Sequence, residues 1–251
     1  MNSVLICEGS TDYVLLQYYM RKVNGWEDGG NANLKYGVDN KSRYFTKGSD
    51  VLTIMSSGGC GNLPYAFKDV LELNFYSKPD KGDAIEQIVI VTDRDDVDTE
   101  NAFINEINGK LVDFSATPQA PFISNQWTNV SMKTNTGLQL KFQVLVMIIP
   151  FAENGAMETF LLNAISASSQ YDKQIIEKGK KFVKNADPQK QYLTKRRYIT
   201  KAEFDAYFCI RTPAEQFQQR QNILKGIQWE DYPKIQQDFI LLKDIGTKEI
   251  Q

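Results

Sequence analysis

Histidine is absent from this 251-residue chain. Its absence removes Ser-His-Asp and Cys-His nucleophile pairs, HExxH zinc sites and imidazole acid–base chemistry. Cysteine is scarce. Cys7, Cys60 and Cys209 are odd in number, far apart and in no CxxC pair, which argues against a disulfide framework and against structural zinc. They read as buried or semi-buried free thiols. Long apolar runs are missing as well. The longest lies around Val144 to Pro150, flanked by Lys141 and Glu153, too short for a membrane span. The opening residues from Met1 to Glu8 are apolar only briefly and lack a basic lead. They are expected to be a first strand rather than a signal peptide, in a cytoplasmic protein. An excess of one charge is also lacking: 29 basic residues face 31 acidic ones, a net charge of −2. Attraction to nucleic acid must then come from a local basic patch or from metal ions.

The apolar share of 42% and charged share of 24% suit an ordinary globular core. Val4-Leu5-Ile6-Cys7 reads as a buried strand, followed by the turn Glu8-Gly9-Ser10-Thr11-Asp12 and a helix capped by Thr11 or Asp12. Residues 24–50 form a polar insertion, with a hairpin that includes Arg43-Tyr44-Phe45. A strand over 51–55, a glycine-rich turn over 57–62 and a helix over 64–75 follow. Ile88-Val89-Ile90-Val91 is the clearest strand and ends in Thr92-Asp93-Arg94-Asp95-Asp96. A helix is expected over 99–108, closed by Gly109. Residues 115–135 read as loop with one strand near Val130, and 138–149 as a strand ended by Pro150. Residues 156–167 then read as an amphipathic helix with Met157, Phe160 and Leu161 in the core. The remainder is mainly helical, with one helix starting at Lys201.

Repeated strand-turn-helix order favours an α/β fold with a mostly parallel sheet and helices on both faces. The expected organisation is an α/β domain over 1–168 with the insertion at 24–50, and a helical C-terminal extension over 169–251 packed on it. Ligands of such sheets sit at the carboxyl ends of the strands. Acidic turns fall at three such ends. Gathered carboxylates repel one another unless a cation neutralises them. Asp93 and Asp95, two apart just past a strand, can reach one ion, and Glu8 from another strand end can complete the site or act as acid or base. Without histidine, such oxygen donors suit Mg²⁺ or Mn²⁺, and the favoured chemistry is phosphoryl transfer.

Each piece also has a plainer reading. Glu8-Gly9 alone is a common turn. Asp93, Asp95, Asp96 and Asp98 read equally as a solvated loop or a helix cap, and Glu153 and Glu158 as acids stabilising a helix start. Gly58, Gly59 and Gly61 can form a phosphate-binding nest, but no GK[ST] follows, which excludes a Walker loop. Lys195-Arg196-Arg197 reads as a solvated basic patch.

Ile6-Cys7-Glu8-Gly9-Ser10-Thr11-Asp12 resembles the glutamate motif of Toprim domains, an apolar strand followed by EGxxD. The segment from Val89 to Asp95 resembles their DxD motif. Asn154 to Leu162 is similar to the G-x-LE-x-LL segment of the OLD-family nuclease branch and related small stand-alone Toprim proteins, and Lys201 to Phe208 to the lysine-bearing helix that follows there. The likeness covers about residues 3–12, 51–108 and 144–208. The interval between Glu8 and Asp93 is longer than in that pattern, because of residues 24–50.

The resemblance implies a Toprim-like fold and divalent metal at Glu8, Asp93 and Asp95, with Asp12 and Glu158 in support. It implies a phosphate contact near the scissile bond from Lys201, or else Lys195. Gly9, Gly58, Gly59, Lys195 and Arg196 are the expected substrate-binding residues. A topoisomerase or primase would need further domains, which leaves a metal-dependent nuclease. DNA is expected ahead of RNA, and a separate ATPase is the implied partner. The alternative is a catalytically vestigial Toprim protein that binds nucleic acid or that ATPase. A haloacid-dehalogenase-like phosphatase, with Asp93 as nucleophile, is disfavoured because that family carries its DxD on the first strand.

Overall fold

The computed structural model describes residues 1–31, 41–95, 99–151, 153–215 and 220–247. Part of the expected insertion (32–40), along with Asp96 and Asp98, lies outside them. The strands are β1 (Asn2–Cys7), β2 (Glu27–Asn31), β3 (Ser42–Lys47), β4 (Asp50–Ser56), β5 (Gln87–Asp93), β6 (Thr117–Pro118), β7 (Trp127–Lys133) and β8 (Gln139–Ile149). The helices are α1 (Ser10–Lys22), α2 (Leu63–Tyr76), α3 (Thr99–Val112), α4 (Met157–Ser168), α5 (Gln170–Ala186), α6 (Arg196–Arg211), α7 (Arg220–Lys225) and α8 (Pro233–Asp238). The architecture is mixed α/β, with a C-terminal helical region.

The strands form one sheet in the order β2-β3-β4-β1-β5-β8-β7-β6. The expectation of a mostly parallel sheet needs correction. Among the described residues only β1–β4, β1–β5 and β5–β8 pair in parallel, whereas β2–β3, β3–β4, β6–β7 and β7–β8 are antiparallel. The parallel part is the centre, and hairpins extend it on both sides. Polar, glycine-bearing β2 (Glu-Asp-Gly-Gly-Asn) gives no apolar signal, because it is a solvated edge.

The apolar runs divide by parity, as the two-residue strand period demands. Leu5, Cys7, Val89, Val91, Leu145, Met147 and Ile149 point to one face and pack against α1 and α4–α8. Val4, Ile6, Ile88, Ile90, Val144, Val146 and Ile148 point to the other and pack against α2 and α3. Covered on both faces, these strands need continuous apolar sequence. In β7 only Thr128, Val130 and Met132 are buried, so it alternates. Phe204, Tyr207 and Phe208 of α6 and Ile235 of α8 belong to the same cluster as the sheet.

Three expected boundaries shift. The helix at α3 runs past Gly109 to Val112, because Phe103, Ile107 and Leu111 continue one buried stripe at a spacing of four. The α6 helix begins at Arg196 rather than Lys201. The N-cap of α1 is Gly9, and Asp12 reaches back to accept its N–H at 2.9 Å.

Leu145 is wholly buried in the central strand pair β5–β8. Leu145→Ala should cost about 2–5 kcal/mol, read as a lower urea midpoint at unchanged slope. A midpoint within error of the parent would show that this face is not packed as described.

Candidate functional site

The four central strands β4, β1, β5 and β8 run in one direction, so Ser56, Cys7, Asp93 and Ile149 end on one edge. The loops leaving that edge carry the motif residues. A cavity of about 450 Å³ opens there. Glu8, Asp93 and Glu158 lie at its floor, and the exposed Asp95, Lys41, Arg196, Arg197 and Lys201 line its rim.

Local hydrogen bonds fix each loop. The Gly59 N–H donates to the Glu8 carbonyl, and the Ser57 N–H to the Cys7 carbonyl, both at 2.8 Å. That turn needs φ of 79° at Gly58 and 141° at Gly59, which side chains disfavour. Arg94, between the two aspartates, turns away from the cavity. Its guanidinium donates to the carbonyls of Pro150 (2.8 Å) and Phe151 (3.2 Å) and pairs with Glu100. The Gly155 N–H donates to the Arg94 carbonyl at 2.8 Å. A Cβ at Gly155 would stand 2.7 Å from that of Thr159, so only glycine fits this loop.

Two helix starts face the acids. The Met157 N–H, in the first turn of α4, donates to Asp93 Oδ1 at 3.0 Å. At α1, Asp12 takes the Gly9 N–H, and Thr11 donates to Glu158 across the two helices at 3.4 Å. Partial positive charge at both helix ends favours anions. It does not cancel the crowding. Burial pushes the Glu8 carboxyl up, and Asp95 and Glu158 push further, against an opposing pull from the backbone N–H groups of Asp93 and Cys60. Burial, then Asp12, Glu8 and Glu158, raise Asp93 well above the usual carboxylate range. Asp12, buried beneath the cavity, is pushed up to about 7, mainly by desolvation. Glu8 Oε2 is buried and has no hydrogen-bond partner. Such an atom costs folding free energy unless something outside the chain meets it. Hard carboxylate oxygens in this number suit Mg²⁺ or Mn²⁺, yet among the described residues no three acidic or cysteine side chains stand as a ready ligand set.

The model of the family described as "Protein of unknown function (DUF3226)" matches residues 2–240. The chain belongs to that family. No curated protein matches it. Among solved structures, it is similar to hypothetical protein PH0156 from Pyrococcus horikoshii OT3, at 13% identity over 96% of this chain and 99% of that one, with a TM-score of 0.47. A putative glyoxalase family protein from Bacillus anthracis is 10% identical over 58% of this chain and 93% of that one, with a TM-score of 0.20. The fosfomycin resistance protein FosX from Listeria monocytogenes is 9% identical over 59% of this chain and 90% of that one, with a TM-score of 0.18. Likenesses this low assign neither fold nor activity.

Of the residues singled out in the sequence, Glu8, Gly9, Gly58, Gly59, Asp93, Asp95, Glu158, Arg196 and Lys201 all line the one cavity. Asp12 lies buried beneath it, and Lys195 caps α6 outside its lining. Arg197, Thr200 and Lys41 line it as well, beyond the expected set. An earlier helix start would have found the first two, since 196, 197, 200 and 201 share one face at helical spacing. Lys41 carries no local signal. No helix among the described residues is long and apolar enough to cross a membrane.

The raised carboxyls set the sign of a pH effect. Asp12 titrates near 7 when folded, against about 4 when unfolded. Between those values the folded chain holds more protons, so its stability falls as pH rises. In chelator, the unfolding free energy should drop between about pH 4 and 7 by on the order of a few kcal/mol. Asp12→Asn, which keeps an acceptor for Gly9, should flatten the drop in part, Glu8 and Asp93 supplying the rest. A stability that climbs over this window would contradict the buried acidic cluster.

Proposed function

We propose that the chain is a metal-dependent nuclease with a Toprim-type site, cutting nucleic-acid phosphodiester bonds. One observation carries the reading: the partnerless, buried Glu8 Oε2 lies in a cavity that Asp93, Asp95 and Glu158 also line, beside Arg196, Arg197 and Lys201. The order of the motifs agrees with it, with EGxxD after β1 and DxD after β5, adjacent parallel strands.

Glu8, Asp93 and Asp95 would hold Mg²⁺ or Mn²⁺, with Asp12 and Glu158 in support, and the ion would supply charge neutralisation and an activated water. The chain's own residues do the rest. Lys201 and the arginines of α6 bind the phosphate and offset the charge that grows on its oxygens. Glu8 would either complete the ion's ligand set or act as general acid or base at the attacking or leaving oxygen. Asp12 fixes the Gly9 turn and with it the backbone beside Glu8. DNA stands ahead of RNA as substrate. The resemblance to the OLD-family branch implies a separate ATPase as partner, in the cytoplasm.

The weak overall basicity, a net charge of −2, favours a second reading, a vestigial Toprim site that binds nucleic acid or the ATPase without cutting. Purified chain should nick DNA or cut RNA with Mg²⁺ or Mn²⁺. Glu8→Gln and Asp93→Asn should each slow cutting by about 10²-fold or more with the circular dichroism unchanged. Cutting that survives both substitutions rejects the site. No cutting, with no heat of Mn²⁺ binding by calorimetry, selects the second reading.

A further inference from the structure

A second groove, of about 210 Å³, runs along α1 beside the carboxylate cavity. Ser10 and Lys41 line both, so the two adjoin. Its wall is cationic, with Arg21 from the last turn of α1, Lys41 just before β3, Arg43 within it, and Lys225 from the end of α7. No carboxylate lines it among the described residues. Asp28 pairs with Arg43 at 2.6 Å, and Glu230 accepts from the Tyr18 hydroxyl, both from outside the lining. The position of Arg21 and Lys225 at helix C-termini is favourable in itself. That does not explain why they meet Lys41 and Arg43 in one groove, in a chain whose net charge is −2.

Ser10, Tyr13, Gln17 and Arg21 fall at spacings of three and four on α1, one stripe of the helix. The stripe is about 16 Å long, enough to meet more than one phosphate of a strand. The Gln17 side chain lies against the Tyr13 hydroxyl and hydrogen-bonds with it at the groove wall.

We infer that this groove binds the backbone phosphates flanking the one held at the carboxylates, so that the ligand is a nucleic-acid strand rather than a mononucleotide. The inference rests on the nuclease reading for its direction along the molecule, but strand binding can be measured without chemistry. The test is fluorescence anisotropy of a labelled single-stranded oligonucleotide with the full chain in chelator, across a salt series.

Arg21 and Lys225 are exposed, so the Arg21→Glu, Lys225→Glu double variant should fold, as circular dichroism will verify. It should bind about tenfold more weakly, and the salt dependence should shrink by about 0.7 for each phosphate no longer neutralised. A control with the same charge change on exposed residues of α5, Lys178→Glu with Lys181→Glu, should bind like the parent. Equal losses in both variants would reduce the effect to bulk charge and overturn the groove. So would competition by a mononucleotide as strong as by the oligonucleotide. Weakened strand binding in the groove variant, with no cutting under any metal, keeps the groove and removes the nuclease. Cutting by a groove variant that binds like the parent keeps the nuclease and removes the groove.

Discussion

The mutual repulsion of carboxylates at one sheet edge is the constraint around which this molecule is arranged. Glu8, Asp12, Asp93 and Glu158 each raise, or have raised, a neighbour's pKa. Desolvation is the largest contribution for Glu8, Asp12 and Asp93, ahead of any single neighbour's charge. The protein answers with backbone dipoles rather than with buried cations. N–H groups at the starts of α1 and α4 meet Asp12 and Asp93. Lysine and arginine stay on the exposed rim. A floor so arranged retains unmet demand for positive charge, and the partnerless oxygen of Glu8 is its clearest sign.

That demand depends on topology. β1 lies between β4 and β5, and the helices following β1 and β4 pack on opposite faces of the sheet. The loops after these strands therefore diverge and leave a crevice, the place where open α/β sheets hold ligands. The loops are braced against one another. The turn after β4 holds the one after β1 through Gly59 and Glu8, and the one after β5 holds the one after β8 through Arg94 and Gly155. A change at Gly155 would thus be felt at Asp93 without touching it. The close approach of Thr159 leaves no room for a side chain there.

How much a sequence reveals depends on which signals are local. The runs at 4–7, 88–91 and 144–149 are legible because strands covered on both faces must be apolar throughout, and the acids ending them are legible with them. Edge strand β2 is not, since a solvated edge needs no apolar residue. The start of α6 escapes a periodicity reading because its first turn, Arg-Arg-Tyr-Ile, faces the cavity and solvent, while its core contacts begin with Thr200 and Phe204. Gly109 looks like a terminator but does not act as one. A single glycine costs only about 1 kcal/mol in a helix, less than burying Leu111 returns. Asp12 looks like a cap and acts from the third helical position instead. Arg196, Arg197 and Lys201 share a helical face, but their meeting with Lys41 is wholly tertiary, and nothing local to Lys41 announces it.

The acids and the bases come from different parts of the fold, and this separation has a physical consequence. Strand ends and the first turns of α1 and α4 supply the floor. The rim and the α1 groove draw on β3, α6 and α7, with Arg21 alone from the far end of α1. A phosphate can therefore gain electrostatic energy at the rim while the floor still repels it. At separations within a Debye length of about 8–10 Å, neither field is fully screened at physiological salt. An anion arriving along the cationic wall meets attraction first and repulsion last. Reaching the floor requires that the negative charge there be neutralised, by protons at low pH or by a hard cation near neutrality. On the nuclease reading, holding the strand and reacting with it are then separable properties of adjoining surfaces. The charge state of Glu8 and its neighbours governs the second far more than the first.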